Sequence, residues 1–137
     1  MARNVAASYQ KVQATTASPG QRVVMVYKAI VKNLETASAD CDKKDDFERF
    51  ERINVALQNT VQIIRELQIA LDKENGGEIA ENLDQLYAFW RRHLHLANME
   101  KSKQKIEEVL KMVRELTDAW IVADRNVRTE QGGNGQH

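Results

Sequence analysis

Apolar residues recur every three or four positions in four separate stretches of this chain, and each stretch is bounded by residues that start or stop helices. The first opens at Ser18-Pro19-Gly20-Gln21, where a Ser N-cap, a Pro at the first helical position and a Gln three residues after the Ser form a capping box. Behind it Val23, Tyr27, Ile30, Leu34, Ala37 and Cys41 make one stripe. The polar run Asp42-Lys43-Lys44-Asp45-Asp46 ends that helix and offers Asp45 or Asp46 as the next cap. The second stripe is Phe47, Phe50, Ile53, Leu57, Val61, Ile64 and Leu71. It stops at Asn75-Gly76-Gly77, since glycine accepts the left-handed conformation that closes a helix. The third starts at Glu78, whose charge suits the positive helix end, and runs Ile79, Leu83, Leu86, Tyr87, Trp90, Leu94 and Ala97. Asn98-Met99-Glu100-Lys101 breaks it. Ser102 caps the fourth, which shows Ile106, Val109, Leu110, Val113, Leu116, Trp120 and Ile121.

Each helix is roughly 20 residues, about 30 Å long. Short loops force neighbours to run antiparallel, so the pattern predicts an all-α fold, an antiparallel up-and-down four-helix bundle over residues 18–127. Residues 1–17 read as a flexible N-terminal strap or short helix. Residues 128–137, with Gly132-Gly133-Asn134-Gly135, read as a disordered tail. No alternating strand pattern competes with this reading.

The composition suits one domain. The 137 residues are 42% apolar and 29% charged, enough for both an interior and a solvated surface. Twenty Lys and Arg balance twenty Asp and Glu, so counterion release gives little drive toward nucleic acid, and the pair Arg91-Arg92 does not change that. No stretch is long and apolar enough to insert in a membrane, and the N-terminus lacks the apolar core of a signal peptide. A single cysteine, Cys41, allows no internal disulfide and suits a reducing cytosol.

Chemistry is scarce. A di-iron bundle needs inward Glu residues and Glu-x-x-His pairs, and no Glu-x-x-His occurs. His93 and His95 stand two apart, about 200° round a helix, and cannot share a metal. Cys41 sits on an apolar stripe and reads as a core thiol. Gly76-Gly77 lacks the Lys of a phosphate loop and reads as a turn. No enzymatic constellation, metal or cofactor is expected.

What the sequence does offer is surplus apolar surface. With Leu57 at the centre of the second core face, Val55 and Ile69 fall near the opposite side, with Gln62 between them at heptad spacing. With Leu83 centred on the third helix, Phe89 and Leu96 lie well off the core face beside Asn82 and Gln85. A second stripe of apolar residues and amides on consecutive helices suits a groove for another apolar segment. Periodicity alone equally admits scattered surface hydrophobes or a wide core face.

The run Leu71-Asp72-Lys73-Glu74-Asn75-Gly76-Gly77-Glu78-Ile79-Ala80-Glu81-Asn82-Leu83-Asp84-Gln85-Leu86-Tyr87 resembles the junction between the second and third helices of the flagellar secretion chaperones of the FliS family. Three further pieces fall in the same order as in that family. They are Ala17-Ser18-Pro19 with Val24-Met25-Val26-Tyr27, then Arg91-Arg92-His93-Leu94 with Ala97-Asn98, and finally Leu116-Thr117-Asp118-Ala119-Trp120. The resemblance covers nearly the whole chain. It departs at Lys28-Ala29, where the family usually carries an acidic residue and Gly, and at Phe89-Trp90, where Met is common.

The resemblance implies a cytosolic export chaperone that binds the disordered C-terminal segment of flagellin, one-to-one and as a monomer. Such a protein prevents premature polymerisation and delivers flagellin to a component of the flagellar type III export gate. The expected groove residues are then Val55, Gln62, Ile69, Asn82, Gln85, Phe89 and Leu96. Tyr9, followed by Gln10, matches the family's N-terminal tyrosine, which implies a strap over the groove or a gate contact. Two other readings remain: a helical-bundle adaptor for another exported or regulatory flagellar protein, and a self-associating bundle that buries Val55, Ile69, Phe89 and Leu96 against a copy of itself.

Overall fold

Ser18 and Gln21 hold each other as a capping box requires: the Gln21 N–H donates to Ser18 Oγ at 3.1 Å, and the Ser18 N–H donates to Gln21 Oε1 at 3.0 Å. From that cap runs α1, Pro19–Cys41, in a computed structural model that describes residues 18–44 and 47–135, the side chains of Arg128 and of residues 130–135 excepted. Then follow α2, Phe47–Ile69, α3, Lys73–Glu100, and α4, Lys103–Gly135. Asp45 and Asp46, the expected caps of α2, lie outside the described residues, as do the N-terminal strap and Tyr9.

Side-chain bridges fix the directions of the helices. Cys41 O accepts from Arg49 Nη1 at 3.2 Å, and Asp40 pairs with Arg52 Nε at 3.5 Å, so α1 and α2 run opposite ways. Asn98 Nδ2 donates to Asn54 Oδ1 at 2.8 Å and Gln68 Nε2 to Asp84 Oδ1 at 2.9 Å, which sets α2 against α3 in the same sense. His93 meets Glu108 at 2.5 Å and Glu100 meets Lys105 at 2.6 Å across α3 and α4. Glu35 pairs with Arg114 at 3.2 Å and Ser38 Oγ donates to Glu107 at 3.0 Å, closing α4 back onto α1. The result is the all-α, up-and-down four-helix bundle, with no strand among the described residues.

The chain divides into two compact units. Residues 29–114 form the larger, where Ile30, Leu34, Ile53, Leu57, Ile64, Trp90, Leu94, Ile106, Val109 and Val113 are fully buried. Burying one such side chain stabilises by roughly 1.5–3 kcal/mol, so these ten outweigh any surface ion pair of the fold. Thr60 is buried among them, its hydroxyl spent on Ala56 O at 2.7 Å. The other unit takes the described residues 18–28 and 115–135, and in it the Tyr27 and Trp120 rings meet edge to face at 6.1 Å.

Three expectations change. The second helix ends at Ile69, not at Asn75-Gly76-Gly77. Asp72 then caps a first turn, accepting from the Asn75 N–H at 3.1 Å, and Gly77 breaks that turn from the long helix at φ 55°, ψ −136°. A charged carboxylate in a polar turn offers a better cap than the apolar stripe could reveal. Phe47 and Ile79, expected in the core, are 83% and 70% exposed; each lies in the first turn after a break, before the stripe reaches a neighbouring helix. The helix α4 also continues past Arg128, through Gly132 and Gly133 to Gly135, and Thr129 Oγ1 donates to Arg125 O at 2.9 Å inside it. The remaining breaks fall as expected. Lys101 takes the left-handed conformation that ends α3, and Ser102 Oγ accepts from the Lys105 N–H at 3.2 Å to cap α4.

Candidate functional site

Two antiparallel helices that turn their apolar stripes inward leave a furrow along their flanks. Between α2 and α3 that furrow holds three hollows in a row. The first, near the C-terminal end of α3, has a volume of about 460 Å³ and is lined by Gln58, Val61, Gln62, His95, Asn98 and Met99 among others. The second, about 380 Å³, lies between Val61 and Ala88, Arg91, Arg92 and His95. The third, about 560 Å³, sits at the α2–α3 turn beside Arg65, Gln68, Ile69, Leu71, Lys73 and Asp84. Val61 and His95 are shared by the first two, and Arg91 by the last two, so the hollows form one continuous surface feature.

Amide bridges brace both ends. Asn54 and Asn98 tie the helices at one end. At the other, Gln68 Nε2 donates to Asp84 while Gln68 Oε1 accepts from Arg91 Nη1 at 2.9 Å, and Lys73 pairs with Asp84 at 3.2 Å. The hydrogen bond from Gln68, followed by that from Lys73, holds the Asp84 carboxyl below the ordinary carboxylate value. The walls are therefore set by polar contacts, while Val61, Ala88, Ile69 and Met99 offer apolar surface between them. Ile69 and Met99, at opposite ends of the furrow, are 73% and 71% exposed.

All seven residues expected in a groove are exposed, but they fall in two rows. Gln62 and Ile69 line the furrow, with Val55 on the same heptad stripe of α2, 45% exposed. Asn82, Gln85, Phe89 and Leu96 do not line it. They occupy a different strip of α3, where the Phe89 ring stacks on His93 at 5.1 Å and His93 turns to Glu108 of α4. That bond is the main cause holding the Glu108 carboxyl below its usual value. Among the residues of α3 that line the furrow, Asp84, Ala88, Arg91, Arg92, His95 and Met99 repeat at helical spacing in the sequence.

Cys41 is half-buried. Its thiol lies 3.9 Å from Lys101 O, and burial pushes its ionisation up, which fits a structural thiol better than a nucleophile. No group of three His, Cys, Asp or Glu side chains converges on a metal position among the described residues. No helix among them is long and apolar enough to cross a membrane.

An up-and-down helical bundle with a braced, half-apolar furrow between two adjacent helices belongs, as a class, with small all-α proteins that offer a helix-lined surface to another polypeptide. Sequence comparison narrows the class. The profile of the family described as "Flagellar protein FliS" matches residues 1–127, and the chain belongs to that family of flagellar secretion chaperones. It is 33% identical to the flagellar secretion chaperone FliS of Vibrio cholerae over 82% of this chain and 83% of that one. It is 35% identical to the protein of the same name from Salmonella typhimurium over 77% and 76%. The identity to the Bacillus subtilis protein is 29%, over 97% and 96%.

Proposed function

We propose that this chain is a cytosolic chaperone that binds the C-terminal segment of flagellin, one-to-one and as a monomer, keeps it from polymerising early, and delivers it to the flagellar export gate. The observation that supports this reading most directly is the α2–α3 furrow. It carries apolar side chains bare to solvent, Ile69 and Met99 above all, between polar residues able to pair a backbone. A segment that is disordered when free loses ordering entropy as it folds onto such a surface, so it must bury a long apolar face to bind well. Three hollows in a row provide that length. Shielding follows from the same contact, since apolar faces occupied here cannot pair with other flagellin molecules. Tyr9, through its match to the family's N-terminal tyrosine, is assigned to a strap over the groove or to the gate contact.

The test is a calorimetric titration with a peptide from the C-terminal end of flagellin from the same organism. Saturable one-to-one binding, with a negative heat-capacity change and a gain of helicity, is the expected result. Absence of binding to any flagellin of that organism would remove flagellin from the assignment while leaving the fold and family untouched.

A further inference from the structure

The middle of the furrow has a chemistry that apolar burial does not require. Its 380 Å³ hollow has a floor of Val61 and Ala88, and every other residue lining it is basic or imidazole-bearing: Arg91, Arg92 and His95. Arg65 stands in the adjoining hollow. Among the described residues, no acidic side chain lines the middle hollow, and none pairs with Arg65, Arg92 or His95. Arg91 is only partly satisfied: its Nη1 donates to Gln68, but its buried Nε–H has no hydrogen-bond partner. Two guanidiniums on adjacent residues, Arg91 and Arg92, with Arg65 close by across the furrow, repel one another where no carboxylate answers them among the described residues. Elsewhere in the furrow the balance is different, since Asp84 answers Lys73 and Gln68 at the α2–α3 turn.

We propose that this hollow is a carboxylate subsite: it receives an Asp or Glu side chain set within the apolar segment that the furrow binds. The proposal rests on the reading that the furrow holds a segment of an exported polypeptide, and it adds a specificity element to that reading. An acidic side chain pairs with the guanidinium of Arg92, which is exposed at the hollow and for which a planar carboxylate is the geometric match. A side chain fits better than a chain terminus, because the furrow continues past the hollow in both directions and a bound segment must pass through it. The small Ala88 leaves the room that the carboxylate occupies. Apolar residues of the segment about two turns away on a helix, some ~12 Å along it, then reach the surfaces around Met99 and Ile69. Like charge excludes segments carrying Lys or Arg at that position, so the subsite discriminates as well as attracts.

The experiment uses the full chain and a flagellin peptide in two forms, with a free C-terminal carboxylate and with that carboxylate amidated. Binding of wild type, Arg92→Glu and Arg65→Glu is measured at low and high salt. Each is tested against the parent peptide and against peptides in which each acidic residue in turn is changed to Gln or Lys. Arg92 is the variant of choice because it is exposed and has no partner among the described residues; circular dichroism and thermal unfolding check that the bundle is intact. The expected result is a loss of at least tenfold for Arg92→Glu and an equal loss for one acidic-to-Gln peptide. The two losses should not add, and the Lys version of that peptide should recover binding to Arg92→Glu. Wild-type binding that ignores salt, and that neither Arg92→Glu nor Arg65→Glu weakens, overturns the subsite while the functional reading stands. Wild-type binding that depends wholly on the free peptide terminus also overturns it, in favour of an end-capturing site. If wild type binds no flagellin peptide at all, the functional reading fails first and the subsite falls with it.

Discussion

The side-chain amide of Gln68 on α2 donates to the Asp84 carboxylate on α3 at 2.9 Å and, through its oxygen, takes a hydrogen bond of the same length from Arg91. One neutral residue thus binds an acid and a base that sit seven positions, two turns, apart on the neighbouring helix, and both charges also face the furrow. Its amide is suited to this because it offers a donor and an acceptor at once; a charged residue there would repel one of the two.

Replacing Gln68 with Ala should therefore destabilise the bundle by about 1 kcal/mol, the net worth of a partly exposed hydrogen-bond pair, and not more, because water can reach both orphaned groups. Urea unfolding measures it. Gln68→Glu is expected to do worse than Ala at neutral pH, since its carboxylate would oppose Asp84. The reverse order would mean that Arg91, not Asp84, dominates the contact.

Gly77 separates the turn capped by Asp72 from the body of α3, at φ 55° and ψ −136°. That combination lies outside the left-handed helical well open to Asn or Asp, and only glycine reaches it without strain. Nothing lies within 4 Å of where a Cβ would stand, so the penalty for Gly77→Ala is conformational and not steric. The expected loss is about 1–3 kcal/mol. A variant as stable as the parent would show that the chain can continue α3 straight through this point.

Much of this architecture could be read from the amino acids alone, and the reason is local. A capping box such as Ser18 and Gln21, a cap such as Ser102, and stripes such as Ile53-Leu57-Ile64 act within one or two turns, and one-dimensional spacing records them fully. What spacing does not record is where a neighbour stops. Phe47 and Ile79 obey the period of the core but lie where no helix covers them, and they stay bare. The furrow is a second case. Its position depends on which flank of α3 meets α2: a wheel centred on Leu83 turns Phe89 and Leu96 outward, and the flank beside Val61 carries Ala88, Arg92 and His95. Val61 itself counted as core and is half-buried at the furrow floor.

Asp40 predicts how the fold answers acid. Its buried carboxylate is held below the ordinary value of 3.8, first by the hydrogen bond from Lys43 at 2.8 Å and then by the charges of Lys43 and Arg52, against the opposing pull of burial. Since the folded value is below the unfolded one, the unfolded chain takes up the proton first as pH falls. The stabilisation is complete above 3.8 and disappears as pH drops through the lower folded value. Asp84 and Glu108 are depressed too and add to the same loss. Asp40→Asn should be less stable than the parent at neutral pH, yet lose less stability between about pH 5 and about pH 2.5. Parallel curves for the two proteins over that range would show that Asp40 is not one of the groups that titrate with unfolding.

The two rows of bare residues give the last prediction, because they separate two ways for a segment to lie on this bundle. Ile69 and Met99 flank the furrow, while Phe89 and Leu96 sit on the strip of α3 that leads toward His93 and Glu108. All four are exposed, so a change to Ser at any of them should leave the unfolding midpoint nearly unchanged. Binding is different. A side chain of this size that is buried in the complex contributes roughly 1.5–3 kcal/mol, which is ten- to a hundredfold in affinity. Ile69→Ser and Met99→Ser should therefore weaken a flagellin peptide by at least about tenfold, while Phe89→Ser and Leu96→Ser stay within about twofold of the parent. Titration of the four variants with one peptide decides it. Equal losses at both rows would mean that the segment leaves the furrow and wraps over the ridge of α3, so that the amides of Asn82 and Gln85 become part of the contact. Losses at Phe89 and Leu96 alone would move the binding surface off the furrow, and the carboxylate subsite with it.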